Sequence, residues 1–155
     1  LLWQCGRTYY ARYREMLDRL IEAHPDKHYA SRVALLPFIS EMDIAFAAAD
    51  AVISRSGAGT LSELCIVGKP AILIPSPNVA EDHQRHNAQA LSSRSAAILI
   101  PESEKLPFEL GDAVMRLIKD PALCQDLSRN ISEMARPHAT SDIVDHVEKL
   151  LKEKR

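Results

Sequence analysis

The stretch DAVISRSGAGTLSE, residues 50–63, joins a short apolar run to the start of a second apolar segment. Asp50 to Ser54 predicts a strand because it is short and largely apolar, and Thr60 to Val67 predicts a helix. Gly68 follows, at the position where a glycine in the left-handed conformation commonly ends a helix. The fold of the chain therefore depends on whether this strand–loop–helix unit is repeated.

Outward from this stretch, short apolar runs alternate with longer segments of helical period. We expect strands at 1–4, 32–36, 50–54, 71–74 and 96–100, and helices at 8–23, 40–48, 60–67, 83–92, 108–119, 121–135 and 141–152. This alternation predicts βαβ units, and hence an α/β, doubly wound, Rossmann-like parallel sheet flanked by helices. In such sheets, ligands bind beyond the carboxyl ends of the strands. Those ends correspond to the loops Pro37–Ile39, Ser54–Gly59 and Pro75–His83.

The loop after the third predicted strand has two explanations. Backbone N–H groups at a helix start, with glycines that permit close approach, suit a diphosphate, and Arg55 could neutralise its charge. Alternatively, Thr60 and Glu63 have the spacing of a capping box, in which each side chain bonds the backbone of the other. Glu63 could also hold a vicinal diol such as that of ribose, because a carboxylate accepts two hydrogen bonds. Local spacing leaves the cap and the phosphate cradle both open.

The loop PSPNVAEDHQRHNA, residues 75–88, leads into the next predicted helix. Gln84 and Asn87 are three residues apart and share a helix face, where their amides could bond sugar hydroxyls or simply cap and solvate the helix. His83 and His86 also share a face, but a zinc site would need further ligands at suitable spacing. We therefore predict no metal, and we find no Ser/His/Asp or Cys/His pattern for nucleophilic catalysis.

Length and composition restrict the class of protein. A chain of 155 residues is long enough for one domain with a single core. A net charge of -2 gives no bulk attraction to nucleic acid, and no apolar run approaches the roughly 20 residues of a membrane span. The three cysteines are odd in number and far apart, which predicts free thiols in a reducing compartment. The first residues have the pattern of a strand that began earlier in the chain, so we expect a domain truncated at its N-terminus.

Three segments together resemble the C-terminal half of the MurG family, the bacterial N-acetylglucosaminyltransferases that make the lipid II precursor of peptidoglycan. They are LPFISEMDIAFAAAD (36–50), ADAVISRSGAGTLSELCIVGKPAILIP (49–75) and EDHQRHNA (81–88). The resemblance covers nearly the whole chain and implies a GT-B glycosyltransferase, in which two Rossmann-like domains face a cleft. Residues 1–155 would then be a single nucleotide-sugar-binding domain, with the acceptor-binding N-terminal domain absent.

The resemblance also implies roles for individual residues toward UDP-N-acetylglucosamine, the substrate, with no cofactor. Phe38 and Ile39 would border the uracil, with the Ile39 backbone reading its edge. Glu63 would hold the ribose, and Gln84 would contact the sugar hydroxyls. The full predicted substrate-binding set is Phe38, Ile39, Arg55, Ser56, Gly57, Ala58, Gly59, Thr60, Glu63, His83, Gln84 and Asn87.

Within this set, the resemblance places Ala58, Gly59 and Thr60 by the diphosphate and His83 beside the sugar. Two positions depart from the family pattern. Gly59 stands where a leucine is frequent, and His83 stands where some members carry a second glutamine.

The implied reaction is a direct displacement at the anomeric carbon with inversion. The 4-hydroxyl of N-acetylmuramic acid attacks and UDP leaves, while helix-end dipoles and N–H groups stabilise the charge on the diphosphate. No catalytic residue is expected in this chain, because the base would belong to the absent domain. That domain would also bind the undecaprenyl-linked acceptor and give peripheral association with the inner face of the bacterial cell membrane. The chain alone is expected to be cytoplasmic, to bind UDP weakly and to catalyse nothing.

Other functions fit the same pattern. One is a different GT-B glycolipid glycosyltransferase or a UDP-sugar epimerase. Another is a stand-alone nucleotide-sugar-binding subunit of a split glycosyltransferase, and a third is a Rossmann-like interaction module without a nucleotide.

The final predicted helix carries an apolar stripe formed by Ile143, Val144, Val147, Leu150 and Leu151. Such a stripe predicts burial against a partner surface. We expect it to pack on its own domain, the alternative being that it reaches the other half of a two-domain transferase and is exposed here.

Overall fold

A computed structural model of the chain describes residues 1–77 and 82–153. The chain divides into two compact units, Leu1–Ala48 and Ala49–Arg155, and each is described by itself. The strands are parallel and alternate with helices in both units. The predicted α/β class with parallel strands flanked by helices is confirmed, and the described strands form one sheet in each unit.

The first unit holds a two-stranded parallel sheet and its helices. Its elements are β1 (Leu2–Gln4), α1 (Arg7–Ala23), a short 3-10 turn (Pro25–Lys27), α2 (Tyr29–Arg32), β2 (Ala34–Leu36) and α3 (Met42–Ala48). Strands β1 and β2 pair with Trp3 opposite Leu35. The Trp3 ring lies 4.9 Å from the Tyr13 ring, centroid to centroid, so α1 packs against the sheet through aromatic contact. Strand β2 is shorter than predicted because the chain before it forms the helical turn α2.

The second unit contains a three-stranded parallel sheet in the order β3-β4-β5. Its elements are β3 (Val52–Ser54), α4 (Ala58–Val67), β4 (Ala71–Leu73), α5 (His83–Ser92), β5 (Ile98–Leu99), α6 (Leu106–Lys119), α7 (Pro121–Ser132) and α8 (Ala139–Glu153). Ile72 pairs with Ile53 on one side and with Ile98 on the other. All three residues of β4 are fully buried, which explains why this strand has no polar face.

The core of the second unit lies between its sheet and its later helices. Its buried cluster comprises Ile72, Ile74, Ile100, Ala113, Leu117 and Leu127. Helix α7 begins at Pro121 as predicted, and the preceding Asp120 carboxylate accepts a bond of 2.9 Å from the Leu123 N–H. Gly68 ends α4 with φ 67°, and a Cβ there would clash with the Ser132 hydroxyl of α7. Local residue chemistry therefore explains both helix ends, and close packing against α7 is a second reason for glycine at position 68.

Helix α8 does not pack as predicted. The five apolar residues of its stripe are between 51% and 64% exposed, and none of its described residues is buried. The prediction that this stripe packs on its own domain is wrong. An amphipathic pattern says that a face favours burial, but it carries no information about which surface covers it.

Two further observations concern the limits of individual elements. Of the sequence-predicted loop Pro75–His83, residues 78–81 lie outside the described residues. Among the helices that the structure describes, none is long and apolar enough to cross a membrane.

Candidate functional site

Helix α4 begins at Ala58, two residues before the predicted start. Gly57 is the residue that precedes the first helical turn, with extended backbone and no side-chain cap bond. The first helical hydrogen bond runs from the Leu61 N–H to the Gly57 carbonyl, at 3.0 Å. Thr60 is consequently the third helical residue, and the predicted Thr60–Glu63 capping box is wrong. A glycine is an acceptable residue at this position, so the helix needs no hydroxyl to start.

The earlier start changes which amides are available to a ligand. The N–H groups of Ala58, Gly59 and Thr60 precede the first helical bond, so their positions give them no acceptor within the helix. They also lie at the positive end of the helix dipole. Ala58 and Gly59 are exposed, and a Cβ built on Gly59 would meet nothing within 4 Å. The space around Gly59 would therefore accept a larger side chain such as leucine.

Glu63 lies on the same face of α4 as Gly59 and Thr60, because it follows them by four and three residues. Its side chain is exposed. Within residues 1–77 and 82–153, its carboxylate has no hydrogen-bond or ion-pair partner. With the capping role removed, both carboxylate oxygens are available to accept hydrogen bonds from a ligand.

Ser56 is built into the protein rather than presented at its surface. It is fully buried, and its hydroxyl donates a bond of 2.7 Å to the Gln84 carbonyl. The Asn87 side chain donates a bond of 3.1 Å to the Ser56 carbonyl. Together these bonds connect the loop before α4 to the first two turns of α5.

Gln84 has a half-buried side chain at the start of α5. Its Oε1 accepts a bond of 2.9 Å from the Ser76 N–H, which orients the carboxamide. The amide Nε2 has no partner among the described residues, so it is a candidate donor to a ligand. The neighbouring His83 is exposed and is the first residue of the helix.

Arg55 makes internal contacts with its guanidinium group. Its Nη1 donates to the Ile74 and Pro75 carbonyls, at 3.2 Å each, and to the Glu102 carboxylate at 2.5 Å. Arg55 thus links the loop after β3 to the end of β4 and to the loop after β5. The predicted contact of Arg55 with phosphate stays a prediction. Sequence reasoning missed Glu102, because a separation of 47 residues leaves no local signal.

Phe38 and Ile39 lie in the first unit, after β2. The Phe38 ring is 58% exposed and has the Arg7 guanidinium carbon 6.0 Å from its centroid, a cation–π distance. The Ile39 N–H donates a bond of 2.7 Å to Oε1 of Gln4. Sequence reasoning missed Gln4 as well. Its position at the carboxyl end of β1, opposite Leu36 at the end of β2, was the signal that could have found it.

The reactive and metal-binding side chains form no further constellation in the described part of the chain. Burial raises the pKa of the Cys65 thiol above its ordinary value, which disfavours the nucleophilic thiolate. No three His, Cys, Asp or Glu side chains within residues 1–77 and 82–153 come together as a metal site. The predictions of no metal and of no catalytic residue in this chain stay predictions.

The predicted residues therefore fall into three groups. In the second unit, Arg55, Ser56, Gln84 and Asn87 are joined to the strand ends and to one another by hydrogen bonds. The helix start from Gly57 to Thr60, with Glu63, presents groups that have no partner in the helix. Phe38 and Ile39 belong to the first unit.

The chain is similar to known proteins along its whole length. A curated protein of Flavobacterium psychrophilum named UDP-N-acetylglucosamine--N-acetylmuramyl-(pentapeptide) pyrophosphoryl-undecaprenol N-acetylglucosamine transferase is 46% identical over 155 residues. A Porphyromonas gingivalis protein of the same name is 45% identical over 156 residues. Both matches cover 100% of this chain, which spans 39% and 38% of the relatives' own lengths.

A solved structure gives the same result. The crystal structure of Acinetobacter baumannii MurG superposes with a TM-score of 0.76 and 26% identity, covering 96% of this chain and 40% of that one. The predicted resemblance to the C-terminal half of MurG is confirmed. The sequence profile of the glycosyltransferase family 28 C-terminal domain matches residues 2–147. The chain therefore belongs to the glycosyltransferase family 28 C-terminal domain family.

Proposed function

We propose that this chain is the donor-binding part of an inverting N-acetylglucosaminyltransferase. The whole enzyme would move N-acetylglucosamine from UDP-N-acetylglucosamine to lipid I and so form lipid II in peptidoglycan synthesis. The names of the relatives support this reaction, and the chain spans about two fifths of their length. The observation that carries the proposal is the start of α4, where three backbone N–H groups have no helical acceptor and the exposed Glu63 carboxylate has no partner among the described residues.

The diphosphate is proposed to lie at the start of α4. The amides of Ala58, Gly59 and Thr60 would donate to its oxygens, because no helical carbonyl competes for them. The positive end of the helix dipole favours a negative group at this place. As the bond to the sugar breaks, charge grows on the leaving UDP, and donors already oriented toward it stabilise that charge without reorganising.

The ribose is proposed to be held by Glu63. A carboxylate accepts hydrogen bonds from two neighbouring hydroxyls, which matches the ribose diol. Glu63 stands about one helical turn beyond the amides proposed for the diphosphate. This order along the helix follows the order of the groups in the nucleotide.

The N-acetylglucosamine is proposed to contact Gln84, with His83 and Asn87 beside it. The Gln84 carboxamide is oriented by the Ser76 N–H, so its Nε2 donor is held in one direction. A fixed donor favours the sugar whose hydroxyl meets it, since the wrong sugar leaves the donor without a partner.

The remaining steps are proposed for the longer enzyme. The acceptor hydroxyl would attack the anomeric carbon from a second domain, which would supply the base and bind the undecaprenyl-linked substrate. Peripheral association with the inner face of the cell membrane, and a cytoplasmic location, are proposed on the same basis. No cofactor, metal or nucleic acid enters this proposal, and the chain alone is proposed to bind the donor without catalysing transfer.

Titration of the isotope-labelled chain with UDP tests the proposal by nuclear magnetic resonance. We expect saturable changes in the amide shifts of Ala58, Gly59 and Thr60, because a diphosphate oxygen would replace water at each N–H. Pyrophosphate alone should shift the same amides more weakly. UDP-independent spectra from Gly57 to Glu63 would contradict the proposed donor site.

A further inference from the structure

The Arg55 side chain joins the carboxyl ends of the three strands of the second unit. Strand β3 ends at Ser54, and Arg55 is the next residue. Its Nη1 donates to the carbonyls of Ile74 and Pro75, which follow β4, and to the carboxylate of Glu102, in the loop after β5. One guanidinium nitrogen therefore connects β3 to the ends of both other strands, at the edge of the sheet where ligands of such folds bind.

The guanidinium bonds lie beyond the backbone ladder. Among the described residues, the furthest ladder bond between β3 and β4 runs from the Ile74 N–H to the Ser54 carbonyl, at 2.9 Å. The furthest one between β4 and β5 runs from the Ile100 N–H to the Leu73 carbonyl, at 3.0 Å. Pro75 follows these residues and has no N–H with which to extend the ladder. A side chain thus continues the connection where backbone pairing stops.

Glu102 is the strongest of the three acceptors around the Arg55 guanidinium. Its carboxylate lies 2.5 Å from Nη1, whereas both carbonyl oxygens lie at 3.2 Å, the long end for an N–H···O bond. Nη1 carries two hydrogens for three acceptors, so at least one hydrogen is shared. The charged and nearest acceptor therefore sets the orientation of the guanidinium, and the two carbonyl bonds follow from it.

Arg55 restrains a loop that ends in a flexible residue. Gly57, which precedes α4, has extended backbone and no side-chain cap bond, and a glycine can adopt many other backbone conformations. On the side of α5, the loop is held by the bond from the Ser56 hydroxyl to the Gln84 carbonyl. On the side of the sheet, it is held by the guanidinium of Arg55. These two attachments restrain the segment from which the first amides of α4 project.

We infer that Glu102 is a positioning residue for the proposed donor site, which orients Arg55 so that the loop before α4 stays fixed to the strand ends. This inference rests on the proposed function, because it takes the amides at the start of α4 as the groups that bind the diphosphate. A loop already held in place costs less to order when a ligand binds. The two side chains are 52% and 39% exposed, so the ion pair adds little to global stability and acts on ligand affinity.

Glu102→Met separates the effect of position from the effect of charge. The substitution keeps the length of the side chain and removes the acceptor. Loss of a negative charge by itself favours an anionic ligand, whereas loss of the oriented loop disfavours it. We expect UDP to bind about two- to fivefold more weakly, while Glu102→Gln, which keeps a neutral acceptor, retains most of the affinity. Glu104→Met removes an exposed carboxylate from the same loop and should bind UDP no more weakly than the unchanged chain.

A double-mutant cycle tests whether Glu102 acts through Arg55. Arg55→Met should weaken UDP binding at least as much as Glu102→Met, and the variant with both substitutions should bind like Arg55→Met alone. Isothermal titration of the full chain and its variants with UDP gives the dissociation constants, and urea unfolding checks that each variant is folded. The Gly57 amide resonance gives a second reading without ligand: it should shift in Glu102→Met and stay in place in Glu104→Met.

Failure of this inference is distinguishable from failure of the proposed function. If UDP binds Glu102→Met as tightly as the unchanged chain, or more tightly, Glu102 does not position the site, and the inference is overturned while the donor site stands. Losses that simply add in the double variant would also overturn it, because Glu102 would then act independently of Arg55. If the unchanged chain binds no UDP, the proposed function fails and the inference fails with it.

Discussion

Helices α4 and α5 follow neighbouring strands, but the polar groups near their starts are used in opposite ways. At the start of α4, three amides have no helical acceptor, and Glu63 has no partner in the described part of the chain. Near the start of α5, the Gln84 carbonyl accepts from the hydroxyl of Ser56, which lies in the loop before α4, and the Asn87 amide donates to the Ser56 carbonyl. The Gln84 carboxamide accepts from the Ser76 N–H.

Similar polar residues near two helix starts therefore have different roles, some structural and some open to a ligand. Small polar residues look alike as candidate ligands in the sequence, whether they face solvent or the interior. A group already satisfied inside the protein positions its neighbours, whereas an accessible and unsatisfied group is available to a ligand. We therefore propose that the groups at the start of α4 contact the ligand, whereas the bonds near the start of α5 mainly support the fold.

The largest expected effect tests whether Glu63 on α4 contacts the ligand. Glu63→Gln should weaken UDP binding by about 2 kcal/mol or more, because hydrogen bonds to a charged acceptor are worth about 1.5–3 kcal/mol each. The free energy of unfolding should change little, since the carboxylate has no partner among the described residues. Isothermal titration and urea unfolding measure the two quantities.

The matched control for Glu63 is Glu22→Gln, an exposed carboxylate on α1. It should leave both UDP affinity and stability as they are. If Glu63→Gln lowered the free energy of unfolding as much as the free energy of UDP binding, Glu63 would be a structural residue. The contrast between the starts of α4 and α5 would then not hold.

A smaller effect on UDP affinity is expected for Ser56, which supports the fold near α5. Ser56→Ala removes a buried hydroxyl and leaves the Gln84 carbonyl without its donor, so the free energy of unfolding should fall by about 1–2 kcal/mol. Chemical denaturation measures this loss. UDP affinity should fall less than in Glu63→Gln, because the α4 amides do not depend on this hydroxyl for their positions in the helix.

Ser62→Ala is the control for Ser56→Ala. The Ser62 hydroxyl is exposed and donates to the Ala58 carbonyl of its own helix, at 3.1 Å, with no other side-chain bond among the described residues. If Ser56→Ala lowered the free energy of unfolding no more than Ser62→Ala does, the buried hydrogen bond of Ser56 would contribute little to stability.

The smallest expected effect concerns Thr60. The helix starts at Ala58, and Thr60 makes no capping bond, so Thr60→Ala should change the free energy of unfolding by less than about 0.5 kcal/mol. A residue that capped the helix would cost about 1 kcal/mol on the same substitution. Thermal and urea unfolding distinguish the two values, and a loss near the larger one would restore the capping box.

Several elements follow from local sequence. Helix α5 spans His83–Ser92 as predicted, Gly68 ends α4, and Pro121 begins α7. For α4 and α7 the deciding interaction lies within a few residues: a left-handed glycine ends α4, and a fixed proline φ with an Asp120 carboxylate that accepts from the Leu123 N–H starts α7. The parallel α/β class follows from the alternation of apolar runs and helical segments for the same reason.

Other features could not be read from the sequence. The sequence predicts the start of α4 two residues late, because Thr60 and Glu63 have the spacing of a capping box, while Gly57 has no side chain to indicate a cap. The partners of Arg55 and Ile39 are Glu102 and Gln4, at separations of 47 and 35 residues. Pairings of this kind exist only after the strands have taken their places in the sheets.

The amino-acid sequence is sufficient to predict the strand–helix alternation, the helix ends at glycine and proline, and the family of the chain, because these depend on local chemistry and on the order of residues. The three-dimensional fold is needed to see that Ser56 is a buried link, that Arg55 is bound to two carbonyls and a carboxylate, and that the α8 stripe is exposed. Burial and hydrogen-bond satisfaction depend on which distant segments meet, and local sequence carries no information about those meetings. A polar residue becomes a support or a contact according to the neighbours that the fold brings to it.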